Sequence, residues 1–194
     1  MGWTVNYQYV SYSPVVEHNG NLWQVSSQPS GIYTAQMKSI LNQLEAVLSH
    51  CSQVMVLRFD VGIPYQTDDN RFILSVLDQL KKFLKVNYQM SFYDYHWTRE
   101  QEKVKKQHYH VALMLDANVI RHPSKLNRYI LDMAKTLNIR PWIPENCFYR
   151  FKRNEHDKKQ GAILRMSYLA KARGKGYKPA QTKNHGSSRV RPKL

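Results

Sequence analysis

The sequence predicts an α+β fold: one antiparallel sheet built in the order βαββαβ, with an additional helix before it and another after it. Four segments repeat apolar residues at three and four positions, the period of a helix with one buried face. Four shorter segments alternate or run apolar as strands do. The length, 194 residues with 42% hydrophobic, suits one core with short appendages.

Residues 1–33 mix Trp3, Tyr7, Tyr9, Tyr12 and Trp23 with Ser, Asn, Gly and Pro. No period persists there, so they read as an N-terminal arm or irregular layer. The first helix opens at Thr34, and Met37, Ile40, Leu41, Leu44, Val47 and Leu48 form its stripe. A β-rich run from Val54 to Asp60 follows, closed by Gly62 and Pro64. The second helix is expected near Asp68 and Asp69, whose carboxylates can cap free amides. It continues through Ile73, Val76, Leu77, Leu80, Phe83 and Leu84. Two strands, about 90–100 and 107–115, are joined by a charged turn at 101–106.

Ser124 is the expected cap of a third helix through Leu126, Tyr129, Ile130, Met133 and Leu137. Pro141 and Pro144 then break the chain. A short strand at 147–151 precedes a last helix at about 160–173. From 174 to 194 the chain holds Lys175, Lys178, Lys183, Arg189, Arg191 and Lys193 and no acidic residue. That composition predicts a flexible basic tail gripping phosphates. The domain proper is 34–173. Its central six elements match the ferredoxin-like or RRM-like order, with helices on one face and the first and third strands in the middle.

A net charge of +15 and a pI near 9.8 favour a polyanionic partner. Nucleic acid comes first, because each neutralised phosphate releases counterions. A membrane surface is disfavoured, since no helix sets a broad basic face against a Trp/Phe stripe. No signal peptide is visible and no stretch approaches the ~18 apolar residues of a span. Cys51 and Cys147 are far apart and read as small apolar residues in a reducing compartment. The expected location is the cytoplasm.

The hairpin carries the chemistry. Tyr109, Val111, Leu113 and Leu115 alternate with His108, His110, Ala112 and Met114, and Tyr93, Tyr95 and Trp97 with Asp94, His96, Thr98 and Glu100. Strand side chains alternate faces, so the odd set should meet the helices and the even set solvent or substrate. If Glu100 lies opposite His108, and Thr98 opposite His110, opposed Cβ atoms are only ~5 Å apart and Glu100, His108 and His110 converge. Two imidazoles and a carboxylate suit Mg²⁺ or Mn²⁺ before Zn²⁺. Alternation of His-Tyr-His on a half-exposed strand is the plain alternative, and one register slip would undo the cluster. His96 reads as a DNA-contacting or structural residue. Arg58 and Asp60 share a strand face, as a secondary ligand, a DNA contact or a surface pair.

In the last helix, Tyr168 and Lys171 are three apart and share a face. A phenol with a free pKa of ~10 is a poor nucleophile that a nearby ammonium would help. A Tyr beside a Lys on an amphipathic helix also commonly just packs.

These pieces in this order resemble the HUH endonucleases, in which a His-hydrophobic-His strand binds metal and a tyrosine helix follows. Val56-Leu57-Arg58-Phe59-Asp60, Trp97-Thr98-Arg99-Glu100, His108-Tyr109-His110 and Ser167-Tyr168-Leu169-Ala170-Lys171 are similar to segments of filamentous-phage (inovirus) replication initiators and their prophage relatives. The resemblance spans about residues 34–173. It implies metal held by Glu100, His108 and His110, with Tyr168 as nucleophile and Lys171 positioning the phosphate or a metal-bound water. It implies nicking of single-stranded DNA at an origin hairpin, a 5′-phosphotyrosine intermediate, rolling-circle replication in a bacterial host and contact with host replication machinery.

Tyr177 lies beyond the glycines, so a one-tyrosine enzyme is expected. A single-tyrosine transposase or relaxase is the near alternative. An inactive nucleic-acid-binding regulator with the same sheet, or a phosphodiesterase using activated water, is the distant one. In the enzyme reading, exposed aromatics such as Trp3 or Trp23 would stack bases.

Overall fold

The computed structural model describes residues 9–90, 92–101, 106–175 and 182–193. Four short strands come first: β1 (Val10–Ser11), β2 (Val15–His18), β3 (Asn21–Gln24) and β4 (Ile32–Tyr33). They pair as β1 with β4 and β2 with β3. Helix α1 (Thr34–His50), β5 (Gln53–Gly62), α2 (Arg71–Tyr88) and the hairpin β6 (Tyr93–Glu100) and β7 (His108–Asp116) follow. Next come α3 (Ser124–Asp132), a single turn α4 (Ala134–Leu137), β8 (Arg140–Trp142), β9 (Phe148–Lys152) and α5 (His156–Ser167). A 3₁₀ turn at Tyr168–Ala170 and a last strand, β10 (His185–Ser187), complete the chain.

The fold is α+β around an antiparallel sheet in the order β10-β6-β7-β5. The outer edge of β5 is shared, β9 pairing with Gln53–Leu57 and β8 with Asp60–Gly62. Strand β7, with His108 and His110, therefore lies between two partners and has no free edge.

Side-chain parity divides the sheet into two cores. Met55, Leu57, Phe59, Val61, Tyr109, Val111 and Leu113 are fully buried under α2 and α3, against Ile73, Leu80 and Leu126 among others. Each such aliphatic side chain contributes about 1.5–3 kcal/mol on burial. The opposite face is not open, contrary to the expectation of helices on one side. Val54, Val56, Ala112 and Met114 are buried there beneath α1 and α5, against Met37, Ile40, Leu44, Ile163 and Met166. Parity correctly separated the faces; the second cover comes from elements distant in sequence. The end of that face holding Asp60, Glu100 and His108 stays partly accessible.

Other expectations are corrected locally. Over its described residues the N-terminal layer packs, with Trp23 only 1% exposed and stacked on His156 at 4.5 Å between ring centroids. Trp23 is thus a core residue and not a base-stacking platform; Trp3 lies outside the described residues. Helix α2 starts at Arg71, where Asp69 accepts the Arg71 amide at 2.9 Å. Ser124 is the first residue of α3, preceded by Pro123, and makes no cap bond. Pro141 does not end the sheet but pairs with Val61 on β8.

The C-terminal segment is not a free tail over its described residues. Strand β10 pairs with His96–Thr98, and the Lys193 amide donates to Ser49 Oγ at 2.8 Å. Lys175 is buried. Lys178 lies outside the described residues.

Candidate functional site

The hairpin register is the one on which the cluster depends: Glu100 pairs with His108 and Thr98 with His110. On the other side of β7, Asp60 pairs with His110. One histidine thus stands between carboxylates from two neighbouring strands. His110 Nε2 lies 2.7 Å from Glu100 Oε2 and His110 Nδ1 lies 2.8 Å from Asp60 Oδ1. His108 Nε2 is 3.5 Å from the same Glu100 oxygen, and its Nδ1 faces the Lys106 carbonyl at 3.2 Å. Ligand atoms of Glu100, His108 and His110 all lie within 4.8 Å of one another.

This donor set fits a cation. A carboxylate only accepts, so Asp60 takes the proton on His110 Nδ1. Nε2 faces a second carboxylate oxygen, a contact that either a proton or a shared metal ion on Nε2 can make. The Lys106 carbonyl fixes His108 in the same sense, leaving its Nε2 toward Glu100. Ligand histidines are held this way through the nitrogen that does not bind metal. Arg58 Nη2 approaches His110 Nδ1 at 3.2 Å, but two donors do not bond, so its partner here is Asp60 at 3.4 Å. The cluster can therefore hold a metal ion.

Burial pushes the Glu100 carboxyl up, but its bonds to His108 and His110 outweigh burial and hold it well below the usual carboxylate range. The bond to Glu100 raises His108 above its ordinary value. Burial lowers the Arg58 guanidinium, Asp60 opposing and the charge of Arg165 adding to the effect.

Tyr168 comes to the same place. It lies in the 3₁₀ turn and not in the α-helix, which ends at Ser167. The residue is 36% exposed, and its ring stands perpendicular to His110 with 5.1 Å between centroids. The Arg58 guanidinium lies 4.4 Å from the ring centroid and Lys171 Nζ 5.0 Å. Lys171 keeps company with Tyr168 because residues three apart eclipse in a 3₁₀ turn. It also donates to the Gln28 carbonyl at 3.1 Å. The structure thus brings together Glu100, His108, His110, Asp60, Arg58, Tyr168 and Lys171.

His96 is separated from them. It is fully buried between Gln43 Oε1, 2.9 Å from its Nδ1, and Gln36 Nε2, 3.1 Å from its Nε2. Burial pulls its pKa down to about 3, with His185 and Lys175 adding to that. A direct DNA contact is closed to it, and its role is structural.

Three residues escaped the sequence reading: Gln36, Gln43 and Lys175. The Leu169 carbonyl, next to Tyr168, accepts from Gln36 Nε2 at 3.0 Å, Thr98 Oγ1 at 2.9 Å and Lys175 Nζ at 2.7 Å. Gln36 and Gln43 are buried on α1 in the same stripe as Ile40 and Val47, and an amide within an apolar stripe was the available signal. Lys175 carried no signal, because a basic tail predicts exposed lysines. Gly174 explains how the chain turns in: its φ is +70°, and a Cβ there would meet Glu100 Cγ at 2.3 Å. Only glycine allows both.

A family model described as the YagK/YfjJ C-terminal domain matches residues 17–142. The match takes in Asp60, Glu100, His108 and His110 and ends before Tyr168. No curated protein and no solved structure matches the chain.

Proposed function

The chain belongs to the YagK/YfjJ C-terminal domain family, and from that premise and the site's geometry we propose that it nicks and rejoins single-stranded DNA with Tyr168 as nucleophile. The carrying observation is the packing of Tyr168 against His110, whose Nε2 faces Glu100 while Asp60 holds Nδ1. The order β5-α2-β6-β7-α3-β8, with β7 and β5 adjacent in the sheet, supports a ferredoxin-like arrangement of the HUH type.

Glu100, His108 and His110 would hold a divalent ion, Mg²⁺ or Mn²⁺ by donor type, supplying Lewis-acid charge at a non-bridging phosphate oxygen. Tyr168 loses its proton to water and its oxygen bonds to phosphorus. The bond from phosphorus to the 3′ oxygen breaks, and that oxygen leaves as a hydroxyl after taking a proton. The 5′ phosphate stays on the tyrosine until a 3′-hydroxyl reverses the step. Arg58 and Lys171 supply positive charge where the phosphate must sit. This is the chemistry of a replication initiator of a phage or mobile element, acting on an origin hairpin in the cytoplasm.

Incubation with origin-type single-stranded oligonucleotides and Mn²⁺ tests it. A covalent protein–DNA species is expected from the wild type and not from Tyr168→Phe. Tight binding with no adduct in the wild type would leave a binding module. Cleavage surviving Tyr168→Phe but not His110→Ala would replace the tyrosine with water.

A further inference from the structure

Beside Tyr168, a cleft of about 350 Å³ is lined by Arg58, Arg165, Tyr149, Gly161 and Leu164. We propose that it seats a phosphodiester of a bound single strand beside Tyr168. The inference rests on the chain binding single strands, and not on its cutting them.

Arg58 is 95% removed from solvent by its exposure of 5%, and its Nε has no hydrogen-bond partner among the described residues. The Nε of Arg165 is likewise buried and unpartnered. A buried guanidinium N–H without an acceptor is costly, and the two side chains that carry them line the same small cleft, which points to a missing acceptor. Their like charges also act on each other, a repulsion that an anion between them removes. Asp60 engages only Nη2 of Arg58, at a long 3.4 Å, and so does not serve the Nε. Arg165 is anchored at its other end, Nη2 donating to the Glu145 carbonyl at 2.9 Å.

The remaining walls suit a nucleotide. Gly161 leaves the floor free of a side chain; a Cβ there would press on the Tyr149 ring at 3.0 Å. Tyr149 is partly exposed, and aromatic side chains in such grooves can stack bases. A guanidinium fork matches two phosphate oxygens, a geometry that a lysine cannot copy.

The test is fluorescence anisotropy of a labelled single-stranded oligothymidylate with the full chain carrying Tyr168→Phe, in EDTA, across a salt series. Arg165→Gln should weaken binding about tenfold and reduce the salt slope by about 1. Lys158→Gln removes the same charge from an exposed side chain of the same helix and should change affinity less than about twofold. A second pair avoids the Glu145 bond. Leu164→Glu places a carboxylate at the cleft and should weaken binding at least about tenfold, whereas Leu131→Glu, equally exposed on α3, should not. Equal effects within either pair overturn the proposal. Wild-type failure to bind single strands overturns it together with the proposed function, whereas Arg165-dependent binding without any adduct supports the cleft and removes only the enzyme.

Discussion

Lys175 Nζ donates to the Leu169 carbonyl at 2.7 Å and to Gln36 Oε1 at 3.1 Å, tying the C-terminal segment to the turn that presents Tyr168. Burial pulls this ammonium down to about 7, with Glu100 opposing. The unfolded chain holds the same proton up to its ordinary value near 10.5, so between those limits the unfolded state binds more protons. Stability then rises with pH. Urea unfolding should show wild-type stability climbing from about pH 7 toward pH 10, a rise missing in Lys175→Met. A Lys175→Met protein with the wild-type slope would show that the amine is free in solution.

Metal should stabilise the folded chain. An ion at a hundred times its dissociation constant adds about 2.7 kcal/mol, read as a higher melting temperature with Mn²⁺. Glu100→Gln and His110→Ala should lose that shift, and Tyr168→Phe should keep it. A shift that persists in His110→Ala would move the ion elsewhere.

Asp60→Asn tests the orienting bond. An amide can turn its NH₂ toward His110 Nδ1 and favour the wrong tautomer, so Mn²⁺ affinity should drop about 10–100-fold by calorimetry, with little change in melting temperature without metal.

Metal binding should also weaken in acid, because His108 must give up its proton to ligate. Its bond to Glu100 raises its pKa, so the decline should begin at a higher pH than an ordinary histidine imposes. His108→Asn would remove that early phase of a calorimetric pH series.

Trp23→Ala should destabilise the fold by about 3–5 kcal/mol in urea unfolding, since Trp23 is 1% exposed under α5. Single-strand affinity of the folded fraction should stay unchanged, which separates a core residue from a stacking platform.

Local pattern carried much of this molecule. The stripe on α1, the alternation along β6 and β7, and the pairing of Glu100 with His108 follow from period and turn length, because a hairpin joins neighbours in sequence. The convergence of Glu100, His108 and His110 was legible for that reason. The approach of Asp60 to His110 was half legible: parity put it on the right face, but only the pairing of β5 with β7 brought it to 2.8 Å.

What sequence determined by itself was therefore the central helices and strands, their faces and the chemistry available on one strand end. Tertiary structure decided which side chains were covered. His96 and Glu100 share a face of β6, yet α1 with Gln36 and Gln43 closes over His96 and stops short of Glu100. The same long-range packing buried Trp23, drew Lys175 inward and set Tyr168 against His110. Burial depends on contacts between residues far apart along the chain, and no local period encodes those.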